Sequence, residues 1–218
     1  NLGPLTQKHV GWGGAFLDFD NDGDADLLIA NGDAFKLQGT PPLLLENDGK
    51  GSFTDAAAKG GAVLNHVING RGNAIVDFDN DGHKDLFASC ASILDNSEEI
   101  DHLPSKLPNL LLRNLGNGTF VDVSADAGRD FLAPATHRGA AFGDLNNDGK
   151  MDIVATNQNS RPEILINRSQ NANHWLTVKL VGTKSNRDGL GARIKVWPSA
   201  GPAQYNHATT SVGYGGSS

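Results

Sequence analysis

One acidic nonapeptide, present three times, constrains this chain more than any other feature. The copies are Asp18-Phe19-Asp20-Asn21-Asp22-Gly23-Asp24-Ala25-Asp26, Asp77-Phe78-Asp79-Asn80-Asp81-Gly82-His83-Lys84-Asp85 and Asp144-Leu145-Asn146-Asn147-Asp148-Gly149-Lys150-Met151-Asp152. Each reads D-x-[DN]-x-D-G-x-x-D and runs straight into an apolar stretch. Carboxylates crowded on a short loop repel one another. A hard cation that prefers oxygen ligands removes the repulsion, and Ca²⁺ is the natural candidate. Solvated Asp-Gly hairpin turns would explain one copy, but they explain three copies in register poorly.

The loop chemistry follows position by position. Positions 1, 3 and 5 supply side-chain oxygens on one concave turn, and the glycine at position 6 permits the bend. Position 7 varies (Asp24, His83, Lys150), as expected where only the backbone carbonyl binds. Position 9 is Asp in every copy and would close the cage. Three Ca²⁺ sites are therefore expected. The first uses Asp18, Asp20, Asp22 and Asp26 with the Asp24 carbonyl. The second uses Asp77, Asp79, Asp81 and Asp85 with the His83 carbonyl. The third uses Asp144, Asn146, Asp148 and Asp152 with the Lys150 carbonyl. Asn146 replaces a carboxylate, so the third site is expected to be the weakest. An EF-hand needs Glu at position 12, which here is Ile29, Ala88 or Ala155.

The repeat is longer than the loop. Gly13, Gly72 and Gly139 lie five residues upstream of the first Asp, and Ala15, Ala74 and Ala141 three upstream. Downstream come Leu27-Leu28-Ile29-Ala30, Leu86-Phe87-Ala88-Ser89 and Ile153-Val154-Ala155-Thr156, short apolar runs that suit buried strands. A second block follows: Leu43-Leu44-Leu45-Glu46-Asn47-Asp48-Gly49-Lys50-Gly51-Ser52-Phe53, then Leu110-Leu111-Leu112-Arg113-Asn114-Leu115-Gly116-Asn117-Gly118-Thr119-Phe120. A worn third copy is Ile164-Leu165-Ile166-Asn167. First aspartates at 18, 77 and 144 give periods of 59 and 67. Phe53 to Asp77 and Phe120 to Asp144 both span 24 residues, so the difference is an insertion around 95–102. Periods of this size with about four strands per unit indicate propeller blades.

These units resemble FG-GAP/VCBS repeats, the blades of integrin-α-type β-propellers. The run from Asn173-His174-Trp175-Leu176-Thr177-Val178 to Gly189-Leu190-Gly191-Ala192-Arg193-Ile194 resembles the opening of the ASPIC/UnbV domain. That module follows FG-GAP repeats in cartilage acidic protein-like proteins. The resemblance implies an all-β chain: three propeller blades over residues 1–170, then a small β module over 171–218 with a strand through Trp175, Val178 and Leu180. The module departs from its family at Gly213-Tyr214, which is followed by Gly215-Gly216-Ser217-Ser218 rather than by further strands. Three blades are fewer than the four to eight of single-chain propellers. The expectation is part of a larger propeller, or assembly with further copies of itself.

Composition narrows the function classes. The formal charge is −7, yet eleven carboxylates sit at the expected ligand positions, so the acidity is mostly site chemistry and nucleic-acid binding is disfavoured. No apolar run approaches the roughly 20 residues of a membrane span. Lone Cys90 permits no intrachain disulfide and reads as a small buried hydrophobe. The seven histidines lack i, i+4 ligand spacing and read as surface or packing residues. No nucleophile elbow, P-loop or zinc motif occurs, so neither catalytic nor organic-cofactor-binding residues are assigned. The expected function is an extracellular, secreted, calcium-binding adhesion or scaffolding module that recognises a protein or glycan through loops such as 31–42 and 90–108. A structural subunit of an extracellular assembly or filament and a propeller-based polysaccharide-acting enzyme are the alternatives. Asn117-Gly118-Thr119 and Asn167-Arg168-Ser169 are glycosylation sequons.

Overall fold

Each apolar run becomes a strand of an antiparallel meander, and each nonapeptide becomes the hairpin loop that opens it. A computed structural model of the chain describes residues 2–32, 39–66, 68–94, 96–213 and 216–217. Strands β1 (Gly11–Leu17), β2 (Asp26–Asn31), β3 (Leu43–Asn47) and β4 (Phe53–Asp55) form one four-stranded sheet in chain order. Strands β5 (Gly70–Val76), β6 (Asp85–Cys90), β7 (Leu110–Asn114) and β8 (Phe120–Asp122) form the second. The third sheet holds β9 (His137–Gly143), β10 (Asp152–Asn157) and β11 (Glu163–Leu165). The register repeats: Leu17 pairs with Asp26, Val76 with Asp85 and Gly143 with Asp152. Position 9 of every loop is thus the first residue of its second strand.

The third blade has three described strands where four were expected. The reason is local. The first two blades return through Asn-x-Gly-x-Gly-x-Phe, whereas the third reads Asn167-Arg168-Ser169-Gln170 and lacks both turn glycines and the returning Phe. The expected strand through Trp175, Val178 and Leu180 is not formed either. No strand occurs over 166–192, where Leu176 and Val181 are each 70% exposed. An extended segment becomes a strand only when its backbone groups find a ladder partner. Beyond it β12 (Arg193–Val196) pairs with β13 (Gln204–His207), and β14 (Ser211–Gly213) with β15 (Gly216–Ser217).

The blades stack through their innermost strands, with β1 beside β5 and β5 beside β9. The repeated glycines make that approach possible. A Cβ on Gly13 would lie 3.1 Å from the Arg71 carbonyl, and one on Gly72 would lie 2.7 Å from the Arg138 carbonyl. The core is the space between blades. Leu17, Phe19, Leu28 and Leu44 of the first meet Leu86, Leu112 and Phe120 of the second. Phe87 and Leu111 of the second meet Ala140 and Ile153 of the third. Strands buried on both faces explain the unbroken apolar runs. Leu2, just before the short helix α1 (Gly3–Thr6), and Leu5 within it pack on the outer face of the first blade. The other α-helices among the described residues, α2 (Ala57–Gly60) and α3 (Ser97–Asp101), have four and five residues; α3 occupies the insertion of the second repeat. No helix among the described residues is long and apolar enough to cross a membrane.

Candidate metal centres

The loops share one backbone scaffold, and the acidic side chains build it. The position-1 carboxylate accepts the N–H groups of positions 5 and 6: Asp18 from Asp22 and Gly23 at 3.1 and 2.9 Å, Asp77 from Asp81 and Gly82 at 3.0 and 2.9 Å, Asp144 from Asp148 and Gly149 at 3.0 and 2.8 Å. Position 5 caps position 7 in the same way, Asp22, Asp81 and Asp148 accepting at 2.8, 2.8 and 3.0 Å. Position 9 is clamped twice. Asp26 takes the N–H of Phe19 (3.0 Å) and Asn47 (2.9 Å), Asp85 those of Phe78 (3.0 Å) and Asn114 (2.8 Å), and Asp152 those of Leu145 (2.9 Å) and Asn167 (2.8 Å). Position 7 turns its side chain away: Asp24 lies over Gly49, His83 over Gly116, and Lys150 donates to the Ser169 carbonyl at 2.6 Å.

In the first two loops carboxylates converge. One oxygen each from Asp18, Asp20 and Asp22 lies within 4.8 Å of the others, and Asp77, Asp79 and Asp85 form an equal group. Oxygens that share a Ca²⁺ at about 2.3–2.6 Å lie no more than about 5 Å apart, so both groups fit an ion of that size. Asp20 Oδ1 and Asp79 Oδ1 are buried and have no hydrogen-bond partner among the described residues. Such oxygens are costly to bury unless something positive meets them. Burial dominates the electrostatics. It pushes Asp18 up to about 6, Asp26 to about 7 and Asp85 to about 8, with neighbouring carboxylates adding to the rise. Asp22, Asp77 and Asp79 are raised for the same leading reason.

The third loop differs. Asn146 folds back on its own loop, donating to Asp148 Oδ2 and accepting the Asp148 N–H, both at 3.1 Å. Among the described residues Asp144, Asp148 and Asp152 do not form a convergent carboxylate group. The C-terminal segment covers parts of all three loops. Tyr205 lies 3.0 Å from the Cβ position of Gly23, Gln204 against Gly82 and Trp175 against Gly149. Asn173 donates to the Asp79 carbonyl at 3.0 Å.

Four features escaped the sequence reading. Position 2 is an apolar plug: Phe19 is 1% exposed and packs on Phe120, and Phe78 packs into the next interface, but Leu145 is 51% exposed. Position 4 is Asn in all three copies, each with positive φ, and Asn21 and Asn80 donate to Gly82 and Gly149 of the next loop. The Asn that closes each Leu-rich run of the second block holds the loop backbone, and its presence even in the worn third copy was the available signal. Lys59, from α2, reaches Asp20 Oδ2 at 3.1 Å and Glu46 Oε1 at 2.9 Å. Burial alone would lower its pKa, but those two hydrogen bonds outweigh burial and raise it.

Other chemistry-bearing residues are structural. His137 is fully buried, bonding the Cys90 carbonyl at 3.1 Å and Glu163 at 3.1 Å. Burial pushes the Cys90 thiol up to about 12, which fits an inert packing residue. The Asn167 amide donates to the Phe78 carbonyl at 2.7 Å, so this sequon nitrogen is committed inside the fold.

Comparison with known proteins agrees with the repeat. The FG-GAP-like repeat family matches residues 18–88 and 104–155, more than half of the chain. Human cartilage acidic protein 1 is 33% identical over 164 residues, covering 71% of this chain and 22% of that protein. The Xenopus tropicalis protein of the same name is 34% identical over 108 residues (50% and 14%), and the mouse protein 49% identical over 63 (28% and 9%). The chain thus spans less than a quarter of the length of these relatives. Its three loop-and-meander units place it in the FG-GAP-like repeat family, to which the chain belongs.

Proposed function

We propose that the chain is the calcium-binding, non-catalytic part of an extracellular adhesion or scaffolding protein that recognises a protein or glycan. The observation that carries this reading is the pair of convergent carboxylate groups, each with a buried oxygen that lacks a partner. Asp18, Asp20, Asp22 and Asp26 would hold the first ion, Asp77, Asp79, Asp81 and Asp85 the second, and Asp144, Asn146, Asp148 and Asp152 the third. The carbonyls of Asp24, His83 and Lys150 would complete the cages. The bound ion supplies positive charge that lets the buried carboxylates stay ionised, and so fixes the ends of neighbouring blades. Similarity to proteins named for cartilage and acidity supports an extracellular setting. A concavity of about 520 Å³, lined by Cys90, Leu107, Pro108, Asn109 and Leu132, lies at the base of loop 90–108 and suits that loop to recognition. Residues 33–38 of the other expected recognition loop lie outside the described residues. Residues from about 171 onward are proposed as a separate small module seated on the loops.

Calorimetric titration with CaCl₂ after chelation tests this. Extracellular modules bind calcium at roughly 10⁻⁴–10⁻³ M, and uptake in that range with a rise in Tm is expected. No heat and no change in Tm would sink the calcium reading. Reproducible turnover of a polysaccharide, abolished by mutating a residue of the concavity, would overturn the non-catalytic one.

A further inference from the structure

The closing carboxylates of the three loops are joined by one continuous hydrogen-bonded path. Asp26 Oδ2 accepts the Phe19 N–H at 3.0 Å. The carbonyl of Phe19 accepts the Asn114 side-chain amide at 2.7 Å. The backbone N–H of Asn114 donates to Asp85 Oδ1 at 2.8 Å. The pattern repeats one blade on. Asp85 Oδ2 accepts the Phe78 N–H at 3.0 Å, the Phe78 carbonyl accepts the Asn167 amide at 2.7 Å, and the Asn167 N–H donates to Asp152 Oδ1 at 2.8 Å. A second path runs alongside. Asn21, between Asp20 and Asp22, donates to the Gly82 carbonyl at 3.1 Å, and Asn80, between Asp79 and Asp81, donates to Gly149 at 3.1 Å.

We propose that Asn114 and Asn167 couple the three metal sites, so that loading one loop raises the affinity of its neighbour. The inference rests on the calcium reading of the loops. An ion that fixes Asp26 fixes Phe19 through its N–H. The carbonyl of the same residue, in the next peptide, sets the side chain of Asn114, and the Asn114 backbone sets the orientation of Asp85. A second ion then finds its ligand already placed, and less ordering opposes its binding. Linkage makes the effect reciprocal between neighbours. Asn114 and Asn167 are positioning residues, since each acts through a carboxylate of the loop.

Calcium titration against a chromophoric chelator provides the test. The wild-type chain is expected to bind with a Hill coefficient above 1. Disabling the first site with Asp20→Ala is expected to weaken the remaining sites about fivefold, the low end of typical coupling. The same change in an Asn114→Ala background is expected to leave them within about twofold. A residue that merely holds blades together would lower Tm without altering this difference. Because Asn114 is fully buried, Asn21→Gly, which removes the amide of the second path and tolerates the positive φ at that position, serves as the milder background and is expected to reduce the fivefold loss. Independent sites in the wild type, or an equal loss in every background, would overturn the relay while leaving the calcium reading intact. No calcium uptake by the wild type would remove both.

Discussion

The first two acidic loops and the third have nearly the same sequence and the same backbone hydrogen bonds, yet different surroundings. Phe19 is buried and Phe78 half-buried against a following blade, and carboxylates beside them converge. Leu145 is exposed, and Asn146 satisfies itself within its own loop. A loop scaffold can therefore be written in nine residues, whereas a charged, dry site also needs a neighbouring blade to exclude water. The difference between loops lies in packing and in one carboxylate, not in the turn.

The largest energetic contrast between the loops is expected at position 2. Phe19→Ala removes a buried aromatic ring from the first interface and should cost about 3–5 kcal/mol. Leu145→Ala should cost under about 1 kcal/mol, because its side chain is already half in water. Thermal or urea unfolding of the two variants reads the contrast directly. Equal losses would show that the third loop is as well buried as the first.

Acidity gives the next largest effect, with opposite signs in the two metal states. Burial raises Asp18, Asp26 and Asp85 to about 6, 7 and 8, against roughly 4 in an unfolded chain. Between those limits the metal-free native state holds more protons than the unfolded state, so its stability falls as pH rises. Chelated protein should therefore gain stability on going from pH 8 to pH 5, by about 1–2 kcal/mol after allowance for solvent screening. Calcium-saturated protein should lose stability over the same interval, since protons compete with the ion for the carboxylates. Melting curves across pH in EDTA and in excess calcium should cross. Parallel curves would separate these carboxylates from metal binding.

Asn146→Asp gives the third loop the ligand set of the first two and should raise its calcium affinity about tenfold, near 1.4 kcal/mol. Its metal-free stability should fall slightly, because a fourth carboxylate joins Asp144, Asp148 and Asp152. Calorimetry of the variant would show whether position 3 or the exposed setting of Leu145 keeps the third site different. An unchanged affinity would assign the difference to that setting.

Much of this was legible in the sequence because it is periodic. The loops, the strands that follow them and the insertion around α3 could be read from spacing alone, and a repeat repays such reading. The fourth strand of the third blade and the strand through Trp175 were not formed. Strand propensity is visible in Trp175, Val178 and Leu180, but a ladder partner is not. The asparagines were missed for a different reason. Asn21 and Asn114 act on the blade next door, through bonds that span 61 and 95 residues, and no local pattern states what lies across an interface. Their identity in every copy was the clue, once sought for a reason other than ligation.

Lys59 gives the smallest and most specific test, because the second repeat carries the opposite charge at its place, Asp126. Its ammonium sits on Asp20 Oδ2 and Glu46, and over the Phe19 ring at 5.2 Å, while Asp20 Oδ1 stays without a partner. One oxygen of Asp20 is thus held by an internal cation and the other is left for an external one. Lys59 is 40% exposed, so the ion pair itself is worth no more than about 0.5 kcal/mol. Lys59→Met keeps the apolar stem that lies beside Gly118 and removes the charge. The metal-free variant should lose a few tenths of a kcal/mol, since the crowded carboxylates lose their nearest positive neighbour. The calcium-bound variant should behave oppositely, because a like charge no longer stands beside the ion, and first-site affinity should rise about two- to threefold. A charge whose removal weakens the empty loop and strengthens the loaded one is acting as a stand-in for the metal. If both states weaken together, Lys59 is an ordinary strut between α2 and the loop, and the first site owes nothing to it.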